Sequence, residues 1–298
     1  MSALTSAAQT EAKPSLAKAF VELFKLRVVS LLLFAAVGGA VLGAQEWPAI
    51  GPLVLVLVTG LLAGSGASAL NHYFERETDA LMNRTCKRPL VSGVFSRTDW
   101  VPYLGAAMIL LPSVAVLPYN PWLTFFLLAG AFIYAGLYTL ILKPRTLLNI
   151  VIGGAAGSAA VLSGSAAAGN WNDVGAVVLA MLVFVWTPSH FWSLAMVYRN
   201  DYKRSDIPML PTRTTMRQSA YWILLHTSAT AFAALLLAAH PALGWIYFLP
   251  VAFVTVTMLR ANFALIANPN GRLALKLFKI SNLYLAVVLL MICIEGII

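Results

Sequence analysis

Long apolar stretches alternate with short polar ones along the chain. Runs without a charged residue cover 28–45, 47–74, 100–142, 146–172, 174–198, 218–259 and 280–294. A membrane-crossing helix needs about 20 mostly apolar residues, so most of these runs hold one. The 100–142 run holds two, divided at LPYNPW (117–122), and the 218–259 run holds two, divided at AAHPALG (238–244). Both divisions contain the Pro, Gly or Asn that end helices and make turns. The last run is short but stays apolar beyond Glu295. The pattern predicts an all-α polytopic membrane protein with nine transmembrane helices in one bundle.

The polar positions test that count. Lys13, Lys18, Lys25 and Arg27 precede the first helix; Arg76, Arg84, Lys87, Arg88 and Arg97 separate the second from the third; Lys143 and Arg145 separate the fourth from the fifth. Arg199, Lys203, Arg204, Arg213 and Arg217 lie between the sixth and seventh, and Arg260, Arg272, Lys276 and Lys279 between the eighth and ninth. All 20 Lys and Arg therefore fall on one side, and the other side carries only Glu46, Asp173 and Glu295. Positive charge stays in the cytoplasm, so the N-terminus is expected there and the C-terminus outside. One missed helix would scramble this pattern.

Composition agrees: the chain is 60% hydrophobic and 10% charged, with mean hydropathy +0.82, against about 25% charged residues in soluble domains. The net charge of +9 follows from sidedness, and no nucleic-acid partner is expected. Cys86 and Cys293 give neither a disulfide framework nor a metal-ligand spacing. Residues 1–27 lack the early apolar core of a secretory signal and the Arg-rich character of a transit peptide. In SLAKAFVELFKL (15–26), Leu16, Phe20, Leu23 and Phe24 recur at helical spacing, which suits a helix lying on the membrane surface. Residues 1–27 thus read as a cytoplasmic segment with an interfacial helix, and 28–298 as a single transmembrane domain of a bacterial plasma-membrane protein.

Two polar loops are long, about 71–99 and about 199–217, and long loops in compact proteins are often functional. The first opens with NHYFERETDALMNRTCKRPL (71–90), which holds seven of the chain's 31 charged residues. Nothing from 66 to 84 breaks a helix, so the second helix is expected to run on. Asn71, Glu75 and Asp79 then recur at i, i+4 and i+8 along one face, over roughly 12 Å. Such a row of oxygens repels itself unless a cation sits among it, and Mg²⁺ takes one or two carboxylates together with substrate phosphates. Arg84, Lys87 and Arg88 follow at once. Carboxylates beside a basic cluster at a membrane surface suit a metal-bridged polyphosphate; a solvated helix end with internal ion pairs is the plainer alternative.

The second loop repeats the theme four spans later with Tyr198, Arg199, Asn200, Asp201, Tyr202, Lys203, Arg204 and Asp206. Two such loops suggest two pseudo-repeated four-helix halves facing each other, plus a ninth helix. His190 lies inside the sixth helix, where an ionisable residue is a functional candidate or a histidine bonded between helices. His72 is expected at the surface. His226 and His240 carry no expected catalytic role.

NHYFERETDALMNRTCKRPL resembles the first signature of the intramembrane aromatic prenyltransferase superfamily. TPSHFW (187–192), DYKRSDIPMLP (201–211) and YTLILKPRTLLNIVIGGAAGS (138–158) are similar to its protoheme-farnesylating branch. The resemblance runs from about residue 20 to 298. It implies transfer of farnesyl from farnesyl diphosphate to heme b with addition of water, giving heme o and diphosphate. It implies Mg²⁺ as cofactor on Asn71, Glu75, Asp79 and Asp201, the lipid bilayer as surroundings, and heme A synthase or oxidase assembly factors as partners. Arg84, Lys87, Arg88, Lys143, Arg145, Arg199 and Lys203 are the implied diphosphate partners. Tyr138, Asn149, Tyr198 and Tyr202 complete the expected substrate site, with Tyr134, Phe191 and Trp192 as further aromatic liners, and His190 would hold the iron or position the porphyrin. The sequence departs from the superfamily pattern in two places: the middle acid of the first motif is Glu75, and the second motif is not Asp-rich. The competing readings are a prenyltransferase for another acceptor, such as a quinone precursor, and a cation or polyphosphate transporter. A transporter places ionisable groups near the bilayer midplane, whereas these acids cluster at one edge.

Overall fold

A computed structural model describes residues 15–298; Lys13 lies outside them. Helix α1 (Leu16–Leu23) opens at Ser15, whose hydroxyl accepts from the Lys18 amide at 3.4 Å. Ala19 and Leu23 turn inward while Phe20 stacks on Phe24 and meets Phe95 at a tilt on the outside. Lys25, in a left-handed conformation (φ 47°), turns the chain into α2 (Leu26–Ala44). Then follow α3 (Ile50–Phe74), the short α4 (Arg76–Ala80), α5 (Trp100–Val116) and α6 (Pro121–Ala131), which continues as a π-helical stretch over Phe132–Leu142. The second half holds α7 (Asn149–Gly153) and α8 (Ala155–Ala167), one span interrupted at Gly154, and α9 (Val174–Val197). After α10 (Arg199–Arg204) and α11 (Leu210–Arg213) come α12 (Met216–Leu237), α13 (Trp245–Ala267) and α14 (Gly271–Glu295).

No strand occurs among the described residues. Eight spans are at least 18 residues long and apolar enough to cross a membrane, and α5 supplies a shorter apolar ninth. The expected divisions hold: Asn120 caps α6 by accepting from the Leu123 amide at 2.9 Å, and the chain between α12 and α13 turns at 238–244. Packing repeats with a shift of four spans. α2 packs on α3, α3 on α5 and α5 on α6; likewise α8 packs on α9, α9 on α12 and α12 on α13. The two halves meet through α2 and α8, and α14 lies against α13, α9 and α2. Without a hydrophobic drive between helices in lipid, small residues let such backbones approach. A Cβ on Gly39 would stand 2.0 Å from the Val161 carbonyl oxygen, and one on Gly164 1.7 Å from that of Ala36, so the α2–α8 contact requires glycine at both places.

Two expectations fail. The second span does not run on as one helix, since α3 stops at Phe74 and Glu75 takes φ −92°, ψ 0°. The amide ladder still passes through the break, from Glu75 to the Asn71 carbonyl (3.0 Å) and from Asp79 to that of Glu75 (2.8 Å). Asn71, Glu75 and Asp79 therefore keep their spacing along the chain, and Glu75 at the break is held by Lys143 and Arg88. His72 is not at the surface but only 1% exposed, because α3 remains inside the bundle up to its last turn.

Candidate active site

The site lies where the basic ends of α2, α3, the π-helical stretch and α9 converge. Asn71 is held from two directions: the Lys25 ammonium donates to its Oδ1, and its Nδ2 donates to Thr139 Oγ1 at 2.9 Å. Lys25 also donates to the Tyr134 hydroxyl at 2.8 Å. Glu75 accepts from Lys143 Nζ at 2.5 Å, and Arg88 lies 3.7 Å from its other oxygen. Asp79 accepts from Arg88 Nη1 at 2.5 Å. All three oxygen-bearing side chains are buried.

The second loop closes on the first. The Arg84 amide donates to Asp201 Oδ2 at 3.2 Å, the Arg84 guanidinium reaches the Tyr202 hydroxyl at 3.5 Å, and it lies 5.6 Å from the centre of the Tyr198 ring. Arg204 pairs with Asp201 from three residues away. The expected residues of the two halves thus meet, through Arg84, 117 positions from Asp201.

The electrostatics follow from burial and crowding. Burial raises the Glu75 carboxyl, but Lys143, Lys25 and Arg88 outweigh it and hold the group below its ordinary value. Burial, then the neighbouring Arg88, pulls the Lys25 ammonium well below its usual range. Burial raises the Tyr202 phenol. The result is a dense set of positive donors around three carboxylates, in which an added anion would find hydrogen-bond donors at every side.

Tyr134 and Tyr138 stack with centroids 5.9 Å apart, and Lys143 lies 5.7 Å from the Tyr138 ring. Phe191 lies 6.4 Å from Tyr202. Trp192 instead packs edge-on against His226 of α12. His190 is sandwiched between Trp186 (4.2 Å) and Phe278 (4.5 Å), with Nδ1 2.9 Å from Ser281 Oγ. Asn149 donates to the Thr146 and Pro208 carbonyls at 2.6 and 2.9 Å, tying the α7 start to the second loop.

Two expected diphosphate partners are held on backbone carbonyls. Arg145 donates to the Leu140 and Ile141 carbonyls, closing the end of the π-helical stretch. Arg199 donates to the carbonyls of Pro211 (2.5 Å) and Thr214 (3.0 Å) and so clamps α11. Lys203 is exposed. Lys87 is exposed beside Arg88. Lys25, which sequence reasoning counted only as a basic residue before the first span, joins the cluster through Asn71 and Tyr134. Its signal is the FKLR step at the end of the interfacial helix, where a cation stands at the mouth of a span.

The sequence profile of the UbiA prenyltransferase family matches residues 31–283. The chain belongs to this family. Among curated UbiA relatives, the protoheme IX farnesyltransferase of Metallosphaera sedula is 38% identical over 273 residues, covering 92% of this chain and 94% of that one. That of Sulfurisphaera tokodaii is 39% identical over 275 residues, covering 91% and 90%. Solved structures share the fold. A digeranylgeranylglyceryl phosphate synthase matches with TM-score 0.78 at 19% identity, covering 94% of this chain and 98% of that one. A UbiA homologue from Aeropyrum pernix K1 matches with TM-score 0.70 at 19% identity, covering 91% and 96%. A homologue from Archaeoglobus fulgidus, bound to GPP and Mg²⁺, matches with TM-score 0.60 at 13% identity, covering 92% and 99%.

Proposed function

We propose that this UbiA-family chain transfers farnesyl from farnesyl diphosphate to a vinyl group of heme b, giving heme o, with residues 28–298 as the catalytic domain. The observation that carries the reading is the convergence of Glu75, Asp79 and Asp201 with Lys25, Arg84, Arg88 and Lys143 at one membrane edge. The names of the relatives at 38–39% identity supply the acceptor.

The donor set fits Mg²⁺. Among the described residues no group of three His, Cys, Asp or Glu forms a protein-only metal cage. Glu75, Asp79, Asp201 and the Asn71 amide oxygen would offer the hard oxygen donors that such an ion takes together with phosphate oxygens. Bound there, Mg²⁺ would neutralise charge on the departing diphosphate. Lys143 and Arg88, which here pair with Glu75 and Asp79, would be the donors to the diphosphate once those carboxylates held metal. The bond from the allylic carbon to oxygen then breaks with its electron pair leaving on a diphosphate surrounded by fixed cations. The stacked Tyr134 and Tyr138 rings offer a π face to the allyl cation, which the vinyl carbon attacks. Water supplies the hydroxyl and loses its proton to the released diphosphate.

The reading includes the sidedness given by the basic residues, with this edge in the cytoplasm of a bacterial inner membrane, and heme A synthase or oxidase assembly factors downstream. The test incubates purified protein in detergent with heme b, farnesyl diphosphate and Mg²⁺, followed by mass spectrometry of the extracted heme, with an EDTA arm and an Asp79→Ala arm. A hydroxyethylfarnesyl heme formed only with metal and Asp79 is the expected result. Cleaved farnesyl diphosphate with unmodified heme moves the acceptor to another aromatic; intact, unbound diphosphate ends the prenyltransferase reading.

A further inference from the structure

The basic edge holds a second, separate cluster of cations. Arg260 on α13 and Lys276 on α14 line a groove of about 270 Å³ with Thr257, Ala261, Leu273 and Ile280. We propose that this groove binds the phosphate of an anionic phospholipid in the leaflet at the protein's basic edge. Four observations support it.

Among the described residues, neither Arg260 nor Lys276 has a carboxylate within ion-pair distance, and neither do Arg272 and Lys279 nearby. The only acid of the α13–α14 hairpin, Glu295, is at its opposite end, where it accepts from the Gly244 and Tyr247 amides at 2.8 and 2.9 Å. The hairpin edge therefore presents four cations with no anion of its own.

The depth is that of lipid head groups. Arg260 follows Trp245, the first residue of α13, by about 22 Å at about 1.5 Å per residue, and the hydrocarbon layer is about 30 Å thick. An arginine rooted near the inner boundary extends its charge outward to the interface. Trp245, 71% exposed, marks the opposite interface as aromatic residues do.

The floor is apolar. Ala261, Leu273 and Ile280 suit the glycerol and upper acyl chain beneath a phosphate. The Thr257 hydroxyl is committed to the Phe253 carbonyl at 2.9 Å, which leaves recognition to the two cations.

Finally, the groove lies on the outer face of the hairpin. Phe278 and Ser281 of α14 turn inward to His190, while Arg260 and Lys276 are exposed. A lipid bound there would brace α14, whose inner face positions His190, without entering the active site. Basic pockets between spans on the cytoplasmic side commonly take anionic head groups.

The test compares wild type with Arg260→Gln/Lys276→Gln, purified in mild detergent, by native mass spectrometry and by melting in mixed micelles of phosphatidylglycerol or phosphatidylcholine, or with inorganic phosphate. Wild type should retain phosphatidylglycerol and melt higher with it than with phosphatidylcholine. The double variant should bind phosphatidylglycerol on the order of ten-fold or more weakly, since each interfacial cation contributes about a five-fold factor. Arg260→Lys/Lys276→Arg, which keeps both charges, should bind as wild type does. Equal phosphatidylglycerol binding by wild type and the Gln variant overturns the proposal, as does equal stabilisation by phosphatidylcholine. Stabilisation by inorganic phosphate equal to that by phosphatidylglycerol assigns the groove to a soluble anion and also overturns it.

Discussion

The polar loops after α3 and α9 occupy equivalent places in the two halves, yet their charges are held in different ways. In the first, Asn71 and Glu75 are met from other spans, and Asp79 by Arg88 nine positions on. Lys143 reaches Glu75 across 68 positions and Lys25 reaches Asn71 across 46, all among buried or half-buried groups. In the second, the ion pairs are local: Asp201 pairs with Arg204 only three positions away, itself half exposed, and Asp206, 95% exposed, meets Arg213 at 3.6 Å; the distant partner of Asp201 is the backbone amide of Arg84. Ion pairs between exposed side chains contribute little, whereas buried pairs fix geometry and are costly to break. The first loop is a pre-set cradle. The second is a locally braced arm that contributes one carboxylate.

The comparison breaks if the two acids prove equivalent. Asp79→Ala should lower farnesyl transfer by at least about 100-fold, as loss of a group that stabilises developing charge does. Asp201→Ala should cost about ten-fold less than that. The ratio of initial rates at saturating Mg²⁺ checks it, and equal losses would make the two arms a symmetric pair.

Stability sharpens the contrast next. Lys143→Met removes the direct partner of Glu75 and leaves Arg88 at 3.7 Å with Lys25 nearby, so the cost should be a part of the about 3–5 kcal/mol that stranding a buried charge takes. The apparent melting temperature in detergent should fall accordingly. A pH signature accompanies it. The Glu75 carboxyl sits below its ordinary 4.5, so its ion pairs stabilise fully above about that pH. Their contribution fades as pH drops through the lowered folded value. Melting followed from pH 7 to about pH 2 should show an acid limb that begins below about pH 4.5 in wild type and is reduced in Lys143→Met.

Much of this was legible before any coordinates. The spans follow from where charge is excluded, which lipid enforces. The Asn71–Glu75–Asp79 ladder follows from helical spacing and survives the break at Glu75. What was not legible is which cation meets which acid. Arg84, Arg88, Lys143, Arg145 and Arg199 look alike as basic residues near spans, but Arg145 and Arg199 are used on carbonyl groups at helix ends. His72 reads as part of a charged loop, yet α3 stays inside the bundle for one more turn. These outcomes depend on the angle at which separate helices arrive, and a one-dimensional pattern does not contain that angle.

Arg199 gives a subtler test of the second arm. Its two bonds to the Pro211 and Thr214 carbonyls hold α11 against the end of α9, beside Asp201. Arg199→Lys keeps the charge but loses the fork that reaches both acceptors. Each lost bond is worth about 1 kcal/mol. The expected result is a drop of a few degrees in apparent melting temperature and a several-fold loss in rate with the Mg²⁺ dependence unchanged. An arginine that held diphosphate directly would instead raise KM for farnesyl diphosphate and leave melting alone.

The smallest effect should come from Arg204. Its guanidinium pairs with Asp201 while half exposed to water, so Arg204→Ala should change melting by less than about 0.5 kcal/mol. Its rate effect is the informative part. In the first arm, Arg88 and Lys143 cover the carboxylates proposed to hold the metal. If Arg204 does the same for Asp201 by a weak local contact, its removal frees that carboxylate. Half-maximal activity should then need slightly less Mg²⁺, not more. A higher Mg²⁺ requirement in Arg204→Ala would mean that Arg204 binds the diphosphate itself, and the second arm would then resemble the first more closely than its exposed geometry implies.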